Sequence, residues 1–387
     1  MRILVLNAGS SSLKAALVEP PDATVARAGI SWGSDASRAK DRAAELEGAL
    51  GALGVDASSV EPALAAVGHR VVHGGDRFTA PALIDDEVMA AIAEDMDLAP
   101  LHNKVALEAI EVGRTLLPTV PHAACFDTAF HTTLAPEAYR YPVPERWYTD
   151  WGIRRFGFHG LSVAWSVRRA AELLGRDATD MAMVVAHLGS GCSVTAVEAG
   201  RSVDTSMGMT PLEGLMMGTR SGSIDPGVLC YVTGRGLLDP DDVGAELEHR
   251  SGLLGVSDIS GDIRELQAAV DEGSEAASLA LAMFVRRAAA WIAAAATTLP
   301  RLDAIVFTGG IGEHGVDVRR EIVARLGVLG IPPLPAGGNE PAGDGRLDRD
   351  DDGVAILRVE AREDLVIAAQ TAELISQEAQ DQKEQDR

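Results

Sequence analysis

Lysine is nearly absent from this chain: 387 residues hold four, Lys14, Lys40, Lys104 and Lys383. Glycine precedes none of them, which excludes a P-loop, and the protein-kinase motif set is missing as well. Cysteine is scarce too. Cys125, Cys192 and Cys230 stand far apart, match no zinc or redox spacing, and point to a reducing compartment. Positive charge is short overall, with 34 Lys and Arg against 57 Asp and Glu for a net charge of −23. That deficit argues against nucleic acid or an anionic membrane as partner, since both are gripped through basic residues. A local basic site for an anionic substrate remains open. The longest apolar stretch, Ala288–Leu299, falls below the roughly 18–20 residues of a membrane span. The opening MRILVLNAGSSSLK reads as a strand and polar turn rather than a leader, and a cytoplasmic protein is expected.

What the chain does contain is organised. Its 47% hydrophobic and 24% charged residues are ordinary for a globular protein, and its length suits two or three domains. Three apolar runs share one design. Ile3–Leu6 leads into Asn7-Ala8-Gly9-Ser10-Ser11-Ser12, and Met181–Ala186 into His187-Leu188-Gly189-Ser190-Gly191. Ala304–Phe307 leads into Thr308-Gly309-Gly310-Ile311-Gly312. Runs that are apolar throughout suit strands inside a sheet covered on both faces. The chain turns strand-like again over Ser12–Val18 and Ser193–Val197, so two units read strand, Gly-rich turn, strand. Gly9 and Gly189 stand 180 residues apart, a hint of two related domains, although Gly-Ser turns also simply join hairpins.

Helices are expected over Arg38–Leu53, Asp85–Asp97, Ser162–Leu174 with Ser162 as N-cap, Ser274–Leu299, Val316–Leu326 and Glu363–Ala379. Pro332–Gly353 reads as loop. Its Asp348, Asp350, Asp352 and Gly353 imitate part of a calcium loop, but Val359 stands where a bidentate Glu is required, so a solvated acidic turn is expected. The polar tail Ser376–Arg387 is expected to fray.

Several constellations carry chemistry. Asn7 to Lys14 supply backbone N–H groups, hydroxyls, an amide and a cation, which suit nucleotide phosphates and hydrated magnesium; a solvated turn is the plain alternative. Gly310-Ile311-Gly312-Glu313-His314-Gly315 is formally a dinucleotide fingerprint, but the following Ile331-Pro332-Pro333 brings no acidic residue for a ribose. Either a glycine turn lying against a nucleotide or a tight strand-to-helix turn remains. Arg70 lies inside the apolar strand Val67–Val72, and a buried arginine needs an anion. That anion is either a fixed carboxylate or a substrate held by a planar, permanently charged fork. Asp127 ends another apolar strand, His159 sits between glycines in Phe156–Gly160, and Arg220 sits in the Gly-rich loop Met217–Ser223. Singly each is explicable as structure. Together they fit phosphoryl transfer, which is mostly positioning and charge stabilisation.

These blocks resemble the acetate kinase family nearly end to end, from NAGSSSLK at residue 7 to AREDLVIA at residue 361. GHRVVHGG, LAPLHN, FDTAFH, GFHG and SVDTSMGMTPLEGLMMGTRSGSIDPG are the most specific. The resemblance implies an α/β fold with two ribonuclease-H-like βββαβαβα domains around a nucleotide cleft, as in the actin-like ATPases. The first would span 1–148 with about 366–387, and the second 149–365 with the nucleotide site and a homodimer interface. It implies reversible phosphoryl transfer from ATP to acetate, giving acetyl phosphate and ADP, with magnesium or alternatively manganese. By position, Arg70 would bind the acetate carboxylate, Arg220 and His159 would stabilise the transferring phosphoryl group, and Asp127 would hold the arrangement. Val72, Leu101, Phe158 and Pro211 would line the methyl pocket with His102 nearby, and Asn7 and Glu363 would position the metal. Lys14, His187, Leu188, Gly189, Ser190, Gly191, Asp262, Ile263, Arg264, Gly310, Ile311, Gly312, Glu313 and His314 would line the nucleotide site. The two guanidinium groups would converge on one anion. Three positions depart from the family: Ser190 and His314 each replace an Asn, and Arg362 adds a cation beside Glu363. Propionate or butyrate in place of acetate, and a nucleotide-binding switch without catalysis, are the competing readings.

Overall fold

The protein is described by a computed structural model that covers residues 1–9, 12–31, 39–55, 64–98, 100–335, 340–348 and 353–385. Ser10, Ser11, Asp350 and Asp352, and the side chains of Leu101 and His102, lie outside the described residues. Two compact units emerge. One takes Met1–Thr132, Phe158–Trp165 and Arg362–Arg387; the other takes Thr133–Gly157 and Ser166–Ala361.

The first unit is built on β1 (Arg2–Ala8), β2 (Ser12–Glu19), β3 (Ala23–Ser31), β4 (Leu64–Val71), β5 (Ala82–Leu83) and β6 (His122–Phe126). They form one six-stranded sheet in the order β3-β2-β1-β4-β6-β5. β1, β2 and β3 are antiparallel neighbours, β4 and β6 run parallel to β1, and β5 closes the edge antiparallel. The second unit holds β7 (Ala182–Leu188), β8 (Cys192–Glu198), β9 (Arg201–Thr205), β10 (Ala304–Thr308), β11 (Gly345–Arg346) and β12 (Ala355–Arg358). Its order, β9-β8-β7-β10-β12-β11, repeats the first sheet strand for strand, with the antiparallel edge again supplied by the strand before the last. The fold is the two-domain α/β arrangement that the paired hairpins imply.

Side-chain alternation on β4 explains why the first sheet is covered on both faces. A Cβ on Gly68 would lie 2.5 Å from Thr371 Oγ1 and 2.7 Å from Ile367, so the helix Glu363–Gln385 packs directly on the strand backbone. The next residue, His69, points the other way, where Gly113 of the helix Pro100–Leu116 leaves room for its ring. Ile3, Leu4, Val5 and Leu6 are fully buried between these layers, each contributing about 1.5–3 kcal/mol by removal from water.

In the second unit the helix Glu275–Ala296 is long and apolar enough to cross a membrane by length and composition, a reach the apolar-run count understates. Eight of its residues, among them Phe284, Val285 and Ile292, are buried inside the unit. Ser274 caps it by accepting from the Ala277 N–H. Two expectations are corrected. Ser162 is no N-cap: the helix runs Gly160–Leu174, and Ser162 is buried within its first turn. The tail does not fray at Ser376, because its run of Glu, Gln, Ala and Lys favours helix and carries it on to Gln385. The strand-to-helix turn after β10 is as tight as it can be, since Gly309–Gly312 already starts the helix Gly309–His314. The Asp85–Asp97 helix ends at Glu94 and tightens into a short 3-10 turn. In the acidic loop, Asp348 accepts from the Arg346 side chain and the Ile356 N–H.

One buried polar pair ties β4 to β6. His122 Nε2 lies 3.1 Å from the Leu117 carbonyl, so it carries the proton there. Its Nδ1 then accepts from His69 Nε2 at 2.9 Å. His69 Nδ1 is left buried without a partner, a cheap vacancy for a lone pair and an expensive one for a proton. Burial holds both imidazoles below their ordinary range, the neighbouring ring adding to the effect at His69. The folded state therefore resists protons that the unfolded chain takes up near pH 6.5, so stability is full above that pH and falls as pH drops below it. Unfolding free energies from urea titrations between pH 7.5 and 5 are expected to fall at up to about 1.4 kcal/mol per pH unit for each such group. A His69→Leu/His122→Leu double variant is expected to flatten that slope; an unchanged slope would remove the pair from the account.

Candidate active site

The same alternation that buries Gly68 under the last helix places Arg70 on that face, at the carboxyl end of β4. Leu6 pairs with His69, so Asn7 shares Arg70's face; on β6 the residue beside Arg70 is Cys125, and Asp127 follows two positions on. Lys14, opposite Asn7 across the β1–β2 hairpin, points the same way and is exposed. Glu363 opens the helix that covers this face. Three adjacent strand ends and one helix start thus bring Asn7, Arg70, Asp127 and Glu363 together, at the carboxyl ends of parallel strands where open α/β sheets bind ligands.

Asp127 grips one edge of Arg70. Its carboxylate accepts from Nη2 at 2.6 Å and from Nε at 3.1 Å, and the side chain is wholly buried. Arg70 is thus partnered by a fixed carboxylate. The remaining corner is held loosely, with Nη1 at 3.3 Å from Asn7 Oδ1 and 3.7 Å from Glu363. Burial works against the Arg70 charge, but Asp127 and Glu363 outweigh it and hold the guanidinium above its ordinary range. Burial pushes the Asp127 carboxyl up; the guanidinium fork and the His159 backbone N–H are donors that fit its ionised form.

His159 is one of the few non-glycine residues with a left-handed backbone, φ 59°. Gly160 shows what holds it there. Its N–H donates to the Asp127 carbonyl at 3.1 Å, and a Cβ on it would lie 2.1 Å from that oxygen. The GFHG sequence is therefore pressed onto the end of β6 with no room for a side chain. Phe158, just before, is buried, and its carbonyl accepts from His131 Nε2 at 3.0 Å.

Two carboxylates around one guanidinium leave the cluster one negative charge in excess. Glu363 also accepts from Asn7 Nδ2 at 2.7 Å, so an amide and a carboxylate stand side by side. Hard oxygen donors few in number fit magnesium, which keeps most of its waters and takes one or two protein ligands with substrate phosphates. Among the described residues no set of three His, Cys, Asp or Glu forms a closed metal cage. Arg362 is not a loose cation beside Glu363: its guanidinium pairs with Asp364 and Thr24 Oγ1.

In the second unit the predicted nucleotide residues gather on glycine backbone, again at the carboxyl ends of parallel strands. His187 and Leu188 belong to β7 rather than to the turn. A Cβ on Gly309, at φ 76°, would lie 2.7 Å from the Leu188 carbonyl, and one on Gly261 would lie 2.8 Å from the Gly218 carbonyl. Gly218 in turn donates to the Ser190 carbonyl at 3.2 Å. Ser190, Gly191, Gly218, Gly261 and Gly310 so share one patch of backbone. Asp262 caps the helix Ile263–Asp271 and pairs with Arg264, and both lie at the surface. Glu313 accepts from the Ala361 N–H at 3.0 Å, and His314 is exposed. Arg220 Nη1 donates to the Pro211 carbonyl at 3.4 Å. Its loop is clipped by Ser251 and Leu253 N–H groups donating to the carbonyls of Thr219 and Met217. Burial lowers the Arg220 guanidinium, partly offset by Glu248 and Cys192.

Sequence reasoning missed the brace around Pro211. Arg155 Nη1 donates to the carbonyls of Thr205, Ser206 and Met207 at 2.9–3.0 Å, and Nη2 to Glu213 at 2.9 Å. The Tyr141 hydroxyl donates to Glu213 and accepts from the Met209 N–H. Arg155 just before GFHG and Tyr141 further upstream were the available signals.

The profile of the acetokinase family matches residues 2–369. An acetate kinase of Deinococcus radiodurans is 45% identical over 97% of this chain and 98% of its own. A propionate kinase of Salmonella typhimurium is 46% identical over 85% of each chain. The crystal structure of Porphyromonas gingivalis acetate kinase superposes with a TM-score of 0.84 at 32% identity, covering 97% of this chain and 99% of that one.

Proposed function

Since the chain belongs to the acetokinase family, we propose that it transfers the terminal phosphoryl group of ATP to acetate, reversibly, giving acetyl phosphate and ADP. The observation that carries this reading is the divided engagement of Arg70, whose Asp127 edge is fixed while its Nη1 corner keeps only long contacts. An incoming carboxylate takes that corner. It arrives ionised, because carboxylic acids lose their proton well below neutral pH, so no general base is required and Asp127 serves as orienter. A carboxylate oxygen bonds to phosphorus as the bridging P–O bond breaks, and the electron pair leaves with ADP. Arg220 and His159 stabilise the charge spread over the transferring group. The glycine backbone around Ser190, Gly218 and Gly310 carries the nucleotide, with Lys14 serving its phosphates. Asn7 and Glu363 would hold magnesium, whose chemistry when bound would be neutralisation of phosphate charge. Val72 and Phe158, both in the first unit, meet the methyl group of the acid. Propionate is the nearest competitor, as the Salmonella relative's name indicates, and one methylene is worth only about 1–3 kcal/mol.

The same reading makes the protein a cytoplasmic homodimer joined through the second unit. Support comes from the helix Pro226–Gly234, in which no residue is buried; Val228 and Tyr231 are 47% and 57% exposed. Light scattering is expected to give the dimer mass for the native chain and the monomer mass for Val228→Asp/Tyr231→Asp; a native monomer would contradict it. The catalytic reading is tested by trapping with hydroxylamine. ATP and acetate are expected to yield acetyl hydroxamate, at a rate cut at least about 100-fold in Arg220→Ala. Nucleotide binding without hydroxamate would make the protein a switch instead.

A further inference from the structure

The chain leaves β4 at Val71 and continues through Val72, His73, Gly74 and Gly75 with no strand beside it among the described residues, yet these residues are buried. Buried backbone groups outside a ladder need partners from elsewhere. Asn103, itself fully buried in the first turn of the helix Pro100–Leu116, supplies them. Its Oδ1 accepts from the His73 N–H at 3.0 Å, and its Nδ2 donates to the His73 carbonyl at 3.0 Å. An amide side chain offers both a donor and an acceptor, and here it answers both backbone groups of one residue as a neighbouring strand would. The Thr128 hydroxyl accepts from the Gly74 N–H at 3.1 Å, and His73 Nδ1 accepts from the Gly75 N–H at 3.0 Å. The His73 ring then meets Phe158 edge-on, with centroids 5.3 Å apart.

We propose that Asn103 is a positioning residue for acid binding: by clamping His73 it fixes Val72 on one side and, through the His73 ring, Phe158 on the other. The inference rests on the reading above, in which Val72 and Phe158 meet the methyl group of the acid. Asn103 acts through His73 and touches no substrate. Its contacts lie in the first unit, whereas the glycine backbone assigned to the nucleotide lies in the second. Loss of the clamp therefore loosens the acid end and spares the nucleotide end, a split that a general loss of stability would not produce.

The test is steady-state hydroxamate formation by the full-length protein, with acetate varied at saturating ATP and then the reverse, in wild type, Asn103→Ala and Asn103→Asp. KM for acetate is expected to rise at least about tenfold in Asn103→Ala and less in Asn103→Asp, which keeps an acceptor for the His73 N–H. KM for ATP is expected to stay within about twofold. If both KM values move together, or neither moves, in an active protein, the clamp is overturned while the catalytic reading stands. An inactive wild type overturns both. If Asn103→Ala does not fold, Asn103→Asp carries the same comparison; if neither folds, Asn103 is a folding residue and the proposal fails.

Discussion

One buried ion pair sets the terms for the first unit. Arg70 has only 15% of its side chain exposed, and Asp127 has none, so each would be an uncompensated buried charge without the other. Losing either partner of such a pair costs about 3–5 kcal/mol, which locks the ends of β4 and β6 to each other. Asp127 extends the lock, since its carbonyl takes the Gly160 N–H and its carboxylate the His159 N–H. The left-handed turn at His159 thus depends on the partner of Arg70. What the pair leaves loose is as informative as what it holds: one guanidinium corner faces Asn7 and Glu363 at distances a better anion would improve on.

The two sheets share a strand order but not a chemistry. In the first unit the carboxyl ends of the parallel strands carry charged and amide side chains. In the second they carry glycines, packed until backbone meets backbone at Gly309 and Gly261. Side chains of fixed charge discriminate a small carboxylate, whereas exposed peptide N–H groups suit polyphosphate of any attachment. The scarcity of lysine fits this division, because arginine forks and backbone N–H groups can hold anions with little help from lysine.

Much of this was legible in residue order. The apolar runs at Ile3, Met181 and Ala304 lie in β1, β7 and β10, because strands buried on both faces leave little room for polar residues. Arg70's need for an anion was legible too, since an arginine amid valines is costly unless paired. Its partner was not, because Cys125 pairs with Arg70 only after the two strands adopt their register. The glycine-rich Gly309–His314 segment escaped as a helix because propensity argues against it and only the close approach to Leu188 decides it. The roles of Asn103 and Arg155 were not legible for a related reason: their targets are backbone groups of distant loops, which spacing alone does not identify.

The central claim is that Asp127 works by holding Arg70 in place rather than by moving a proton. A double-mutant cycle of Arg70→Gln and Asp127→Asn, read in kcat/KM for acetate, tests it most directly. The account predicts strong non-additivity, with the double variant no worse than Arg70→Gln alone. Losses that simply add would give Asp127 an independent role and contradict it.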